Sequence, residues 1–135
     1  ALRLIRITQQ SFFEGIKYAR EGHRLSDISA AVQAYVEANG CTVVREYVGH
    51  GIGRHMHEPP EVPNYGKPGH GPRLLRGMTI AVEPMVNAGS AAIVQMSDGW
   101  TVKTADGKNA AHYENTVLIT DGEPELLTDP SESLV

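Results

Sequence analysis

Three residues of the kinds that bind metal ions are spread along the chain: His50, Glu83 and Glu114. The two glutamates lie in TIAVEPM and HYENTVLIT, which read as apolar strands, where glutamate is uncommon. Each carboxylate is therefore expected to face water, to pair with a cation or to bind a metal ion. The separations, 33 residues from His50 to Glu83 and 31 from Glu83 to Glu114, exclude a compact loop site. One imidazole and two carboxylates from separate strands suit Mn, Fe(II), Co or Zn.

The segment around His50 is rich in glycine, histidine and proline: YVGHGIGRHMHEPPEVPNYG, residues 47–66. This composition excludes a helix and predicts a loop that follows a strand, and the glycines beside His50 allow other backbone to approach closely. The segment is not a G-x-G-x-x-G fingerprint, and the chain has no P-loop, no H-E-x-x-H and no Gly-x-Ser-x-Gly motif. His55 and His57 alternate and would share a face of an extended loop, where His55 is expected to face solvent.

The elements that must position these residues are two helices followed by strands. Apolar residues at helical spacing predict a helix over residues 1 to about 20 and a second one from an N-cap at Ser26 to a stop at Asn39-Gly40. Strand-like segments follow, separated by turn sequences: CTVVREYVG, MTIAVEPM, AIVQM, WTVKT and HYENTVLIT, with PELLT as a short edge strand. This order predicts one α+β domain over residues 1–135, with two helices packed on a mostly antiparallel sheet.

Composition excludes several classes of protein. With 41% hydrophobic and 21% charged residues and a formal net charge of −4, the chain has the composition of a soluble globular domain. Acidic and basic residues are interleaved, so no nucleic-acid partner is expected. No apolar run approaches the roughly 20 residues of a membrane helix, so no membrane partner is expected. Cys41 is the single cysteine, which excludes an internal disulfide and favours a reducing, cytoplasmic compartment.

Several segments in order resemble type I bacterial methionine aminopeptidases: residues 47–66, GMTIAVEPMVNAG, DGWTVKT and HYENTVLIT. The resemblance runs from RITQQS to ELLT and covers the C-terminal half of that family's catalytic domain. It implies half of a pita-bread (creatinase/aminopeptidase) fold, in which a dinuclear metal site lies between two pseudo-symmetric halves. The run EPMVN is more similar to methionine aminopeptidases than to their relatives, the prolidases and Xaa-Pro aminopeptidases.

The resemblance also implies roles for individual residues. His50, Glu83 and Glu114 match metal ligands, with Glu114 bridging two divalent ions, which are Co, Mn, Fe or Zn in the complete enzyme. Glu83 is in addition the candidate for proton transfer, and His57 matches a histidine that contacts the scissile peptide. The expected catalytic residues are therefore His57 and Glu83.

Substrate binding and metal content follow from the same resemblance. His57, Met56 and Trp100 match residues that contact the substrate, although the position of Met56 is usually aromatic in the family. The family's two aspartate ligands and a further histidine have no match here, since they belong to the N-terminal half. We therefore expect weak binding of one ion or none by this chain, and little or no peptidase activity without the missing half.

The function implied by the resemblance is that of a metalloaminopeptidase that removes N-terminal methionine from peptides and nascent polypeptides by attack of metal-bound hydroxide. Two alternatives stay open: a non-catalytic peptide- or ribosome-binding module on the same scaffold, and a proline-specific aminopeptidase relative. The inner face of the sheet is expected to pack against the missing N-terminal half. Left uncovered, it would be an apolar patch through which two copies could pair as a homodimer.

Overall fold

The computed structural model describes residues 2–45, 49–52, 58–88, 93–95, 102–104 and 110–128. Two helices come first, α1 (Leu2–Ile16) and α2 (Leu25–Ala38). The strands of the described ranges follow: β1 (Thr42–Val43), β2 (Gly49–Ile52), β3 (Glu58–Val62), β4 (Thr79–Val82), β5 (Met85–Asn87), β6 (Ile93–Gln95), β7 (Val102–Thr104), β8 (Ala110–His112), β9 (Asn115–Leu118) and β10 (Glu125–Leu126). Within these ranges, neither helix is long and apolar enough to cross a membrane.

The described strands form three sheets whose pairings are all antiparallel. The largest has the order β10-β9-β4-β2-β3, a second has the order β1-β5-β8, and β6 pairs with β7. The predicted architecture of two helices and an antiparallel sheet is confirmed. The prediction that PELLT is an edge strand is also confirmed, because β10 lies at one edge of the largest sheet. The opposite edge is β3, where Pro59 and Pro60 are tolerated since an edge strand has fewer ladder hydrogen bonds to lose.

Both helix boundaries at the α1–α2 connection differ from the prediction. α1 ends at Ile16 rather than near residue 20, because the chain turns there and the backbone N–H of Glu21 donates to the carbonyl of Thr120 at 2.9 Å. α2 begins before Ser26, so the prediction of an N-cap at Ser26 was wrong. The hydroxyl of Ser26 instead donates to the carbonyl of His70 at 2.7 Å and accepts from the N–H of His70 at 2.6 Å. A tertiary contact therefore uses the group that would have capped the helix.

The core lies between the helices and one face of the sheets. Phe12 and Val32 are fully buried on the inner faces of α1 and α2, as the helical spacing predicts. The helices approach closely at Gly15, where an added β-carbon would lie 2.6 Å from Val32 Cγ2. On the sheet side, Phe12 contacts the buried ring of Tyr113 edge to face, with ring centroids 5.1 Å apart. Burial of each such side chain contributes about 1.5–3 kcal/mol to the free energy of folding.

The glycine- and proline-rich segment is not simply a loop. Two stretches of it, Gly49–Ile52 and Glu58–Val62, form the antiparallel strands β2 and β3, so the prediction of an irregular loop was wrong for these parts. Pairing with β4 overrides the weak strand propensity of glycine, because the lack of a side chain is what admits β2 to the sheet. A β-carbon on Gly49 would collide with the carbonyl oxygen of Ala81, so the close approach predicted beside His50 is confirmed.

Candidate metal centre

The predicted strands MTIAVEPM and HYENTVLIT form one long antiparallel ladder with an interruption near its middle. β4 pairs with β9 as far as Val82 and Asn115. β5 pairs with β8 starting at Met85 and His112. Two residues separate these pairs on each side of the ladder, so the register continues unchanged across the interruption. Each predicted strand is therefore divided between two sheets without a bulge.

The interruption contains both glutamates of the predicted metal site. Glu83 follows β4 and Glu114 precedes β9, and the continuous register sets them opposite each other. The next position pairs Pro84 with Tyr113, and the N–H of Tyr113 donates to the carbonyl of Pro84 at 3.1 Å. Proline has no N–H to return, which accounts for the gap in the ladder at this point. Two acidic side chains thus meet where the ladder cannot pair regularly.

A third donor joins the two carboxylates. Side chains two residues apart on a strand share a face, so His112 of β8 lies on the same face as Glu114. One ligand atom from each of Glu83, His112 and Glu114 lies within 4.8 Å of the others. The Nε2 of His112 is 3.8 Å from Oε1 of Glu83, and these two side chains are 25% and 18% exposed. The cluster is therefore neither fully buried nor fully exposed.

This donor set fits a divalent metal ion. One imidazole nitrogen and carboxylate oxygens are ligands that first-row divalent ions accept. Two carboxylates this close repel each other when both are charged, and a cation bound between them offsets that repulsion. Glu83 comes from one side of the ladder, and His112 and Glu114 come from the other side, two residues apart. The residues of this cluster therefore suit the two-carboxylate, one-imidazole site that the sequence predicts, although its imidazole comes from His112.

A buried amide holds the backbone at the interruption. Asn64, two residues after β3, is 1% exposed. Its side-chain Nδ2 donates to the carbonyl oxygen of Glu83 at 3.0 Å. Because this bond fixes the peptide that follows Glu83, it restricts the positions that the carboxylate can reach. Asn64 is thus a positioning residue of the candidate site.

The backbone of His50 lies close to this cluster in the sheet. β2 is the neighbour of β4, and His50 pairs with Ala81, which is two residues before Glu83. The sheet therefore brings the three separated segments together, as a site with one ligand from each requires. The role of His50 as a ligand stays a prediction.

The sequence interpretation missed His112 and Asn64. The signal for His112 was available, because it stands two residues before Glu114 in a strand and must share its face. No sequence pattern indicates Asn64, since its partner is a backbone carbonyl 19 residues away. The predicted substrate contacts His57, Met56 and Trp100 lie outside the described residues.

Known proteins resemble this chain in both sequence and structure. The sequence model of metallopeptidase family M24 matches residues 1–121. A methionine aminopeptidase from Clostridium perfringens (strain 13 / Type A) is 62% identical over 128 residues, which cover 95% of this chain and 51% of that protein. The crystal structure of a methionine aminopeptidase from Thermotoga maritima superposes with a TM-score of 0.91 at 48% identity, again over 95% of this chain and 51% of that one.

A more distant structure shares the fold alone. Prolidase from Pyrococcus furiosus superposes with a TM-score of 0.67 at 20% identity, over 95% of this chain and 32% of that one. The identity to the methionine aminopeptidases is far higher. The chain spans about half the length of these closer relatives, at 51% of each.

Proposed function

This chain belongs to metallopeptidase family M24 and has the α+β architecture of half a pita-bread fold, and on that premise we propose that it is the C-terminal half of a methionine aminopeptidase. The observation that carries the proposal is the pair Glu83 and Glu114, set opposite each other by the continuous register and joined by an imidazole within 4.8 Å. The 62% identity to a methionine aminopeptidase supports the choice of this activity within the family.

The proposed metal ligands of this chain are His50, Glu83 and Glu114. In the complete enzyme these residues would help to hold two divalent ions, Co, Mn, Fe or Zn. The relatives are about twice as long as this chain, which covers 51% of their length. We propose that their unmatched portion supplies the remaining ligands, as the sequence resemblance implies. This chain by itself would then contain only part of the metal site.

The chemistry divides between the ions and the side chains. When bound, the ions act as Lewis acids and make water nucleophilic near neutral pH. The carboxylate of Glu83 accepts a proton from the attacking water and passes it to the leaving amine. His57 donates a hydrogen bond to the oxyanion that develops at the scissile carbonyl. Trp100 and Met56 contact the methionine side chain, where an apolar and adaptable thioether replaces the usual aromatic wall.

The proposed substrates are polypeptides with N-terminal methionine, including nascent chains, in the cytoplasm. The single cysteine, Cys41, is buried and forms no disulfide, which supports the choice of a reducing compartment. Pairing of two copies through the uncovered sheet face stays a prediction of the sequence.

The test is methionine release from a Met-Ala-Ser peptide in the presence of Mn²⁺ or Co²⁺. The chain is assayed alone and after fusion to the unmatched portion of the Clostridium perfringens relative. We expect little or no turnover by the chain alone and clear turnover by the fusion. Glu83→Gln and Glu114→Gln should each reduce the turnover of the fusion at least 100-fold, whereas Glu125→Gln, an exposed glutamate in the edge strand β10, should leave it unchanged.

Other outcomes identify the alternatives. A folded fusion that binds metal and releases no methionine contradicts the proposal. Cleavage of peptides with proline at the second position, in preference to Met-Ala-Ser, indicates the proline-specific relative. Peptide binding that is indifferent to metal and accompanied by no hydrolysis indicates a non-catalytic module.

A further inference from the structure

The distance between His112 and Glu83 does not suit a hydrogen bond. Their Nε2 and Oε1 atoms are 3.8 Å apart, whereas hydrogen bonds between nitrogen and oxygen have lengths of about 2.7–3.2 Å. Two donors that each lie about 2.0–2.2 Å from a common ion are separated by up to about 4.2 Å. The observed separation therefore fits two ligands of one ion better than it fits a direct bond between the side chains.

The third donor completes this geometry. The ligand atoms of Glu83, His112 and Glu114 all lie within 4.8 Å of one another. Side-chain movement of less than about 1 Å would bring every pair within the reach of one ion. The partial exposure of His112, 25%, leaves a path for an ion and its water ligands.

A second histidine in the chain shows what an ordinary surface ion pair looks like. The Nδ1 of His23 lies 3.5 Å from Oδ2 of Asp27. That carboxylate accepts hydrogen bonds from the backbone N–H groups of Arg24 and Gly69 at 2.8 Å each, and the imidazole of His23 lies beside it. His112 differs because it lies near two carboxylates: that of Glu83 across the ladder and that of Glu114 on its own side.

We propose that His112 is a metal ligand, and that its Nε2 together with Glu83 and Glu114 holds one divalent first-row ion within this chain. The inference rests on the metal centre of the proposed function, and it adds a nitrogen ligand that the sequence resemblance does not assign. The ion is bound by donors of this half alone, so that binding does not require the remaining ligands of the longer relatives. The strand ladder holds His112 and the two carboxylates in place before the ion arrives.

The experiment uses Zn²⁺ as the probe and the ¹⁵N resonances of the histidine rings as the readout. The protein is labelled with ¹⁵N-histidine, and the signals of His112 are assigned by their absence from the His112→Gln variant. We expect the Nε2 signal of His112 to change by direct coordination and to saturate at one equivalent of Zn²⁺. We also expect His112→Gln to weaken Zn²⁺ binding at least 10-fold, measured by calorimetry, while the matched control His23→Gln leaves the affinity unchanged.

The wild-type spectrum keeps the test valid even if the variant is poorly folded. The inference is overturned by a His112 signal that is unchanged at Zn²⁺ saturation, by equal affinity of His112→Gln and the wild type, or by a protein that binds no Zn²⁺. If Glu83→Gln and Glu114→Gln weaken binding and His112→Gln does not, the metal centre stands and this ligand alone is wrong. If His112 coordinates Zn²⁺ but the fusion protein releases no methionine, the inference stands and the proposed activity is wrong.

Discussion

The side-chain Nδ2 of Asn64 donates a hydrogen bond to the backbone carbonyl oxygen of Glu83 at 3.0 Å. Asn64 is buried, and it follows the strand β3 at the far edge of the sheet from β10. The bond therefore ties the segment after β3 directly to the interruption of the ladder, without passing through β2, the strand between β3 and β4. The same hydrogen bond therefore contributes to the stability of the fold and helps to position Glu83, a candidate metal ligand.

Asn64→Ala should lower both stability and metal affinity. The substitution leaves a buried carbonyl without its donor, which costs about 1–3 kcal/mol of unfolding free energy. Because the peptide at Glu83 is then less restrained, we expect Zn²⁺ affinity to fall about 10-fold, as for other groups that orient a ligand. Urea unfolding in EDTA measures the first effect, and calorimetric titration measures the second.

Asn39→Ala is the matched control for Asn64→Ala. The Nδ2 of Asn39 also donates to a backbone carbonyl, that of Tyr35 at 2.8 Å, but at the C-terminal end of α2. We expect this variant to lose stability and to keep its Zn²⁺ affinity. Equal losses of affinity in both variants would show that general destabilisation, rather than the bond to Glu83, weakens the metal site.

Gly49→Ala should disrupt the pairing of β2 with β4. The new β-carbon would collide with the carbonyl oxygen of Ala81, and a backbone atom in a ladder cannot move aside as a flexible side chain can. We expect a loss of about 1–3 kcal/mol or more in unfolding free energy, together with weaker metal binding, because β2 also carries His50. The control is Gly122→Ala, since nothing lies within 4 Å of a β-carbon there. A stable Gly49→Ala protein with unchanged metal affinity would contradict the close approach of these strands.

Asp27→Asn should lower the free energy of unfolding near neutral pH. It should also reduce the loss of stability that the wild type shows as the pH falls. Burial acts to raise the pKa of Asp27, but hydrogen bonds from the N–H groups of Arg24 and Gly69 and the charge of His23 outweigh it, so the pKa is lower than usual. A carboxylate with a lowered folded-state pKa stabilises the protein above its unfolded-state pKa, about 3.9, and this stabilisation is lost as pH falls through the folded-state value. The urea midpoints of wild type and Asp27→Asn should therefore differ at pH 7 and approach each other below about pH 4.

Asp121→Asn is the control for the acid titration. Asp121 pairs with Arg76 at 3.5 Å, but the two side chains are 72% and 66% exposed. Such surface pairs contribute about 0–1 kcal/mol. The urea midpoint of this variant should equal that of the wild type across the whole pH range. A loss of stability as large as that of Asp27→Asn would show that the hydrogen bonds from Arg24 and Gly69 are not what makes Asp27 stabilising.

Divalent ions should stabilise the folded chain. An ion that binds only the folded state raises the free energy of unfolding by about 2.7 kcal/mol at a free concentration of 100 times its Kd. We expect Mn²⁺ or Zn²⁺ to raise the melting temperature of the wild type, and EDTA to reverse the increase. Glu114→Gln should abolish the response and Glu125→Gln should preserve it. An identical response in all three proteins would place the ion elsewhere.

Local patterns were sufficient to predict most of the secondary structure. The inner faces of the helices, the stop at Asn39-Gly40 and the edge strand β10 follow from spacing, capping chemistry and composition that a short window contains. The failures have a common cause. Ser26 bonds to a residue 44 positions away, and the glycines of β2 pair with β4, so contacts distant in sequence overrode the local preference.

Short windows of the sequence were enough to assign the two glutamates to apolar, strand-like segments, because residue type and alternation are properties of a few neighbouring residues. For the histidine-rich segment they predicted a loop, whereas its glycines pair with β4 in strand β2. The single register of the ladder across Pro84 and Tyr113, which sets His112 beside Glu83, depends instead on tertiary contacts. Register depends on which residues of two remote strands meet. That choice is made by the packing of the whole sheet against the helices, so a single strand read alone cannot reveal it.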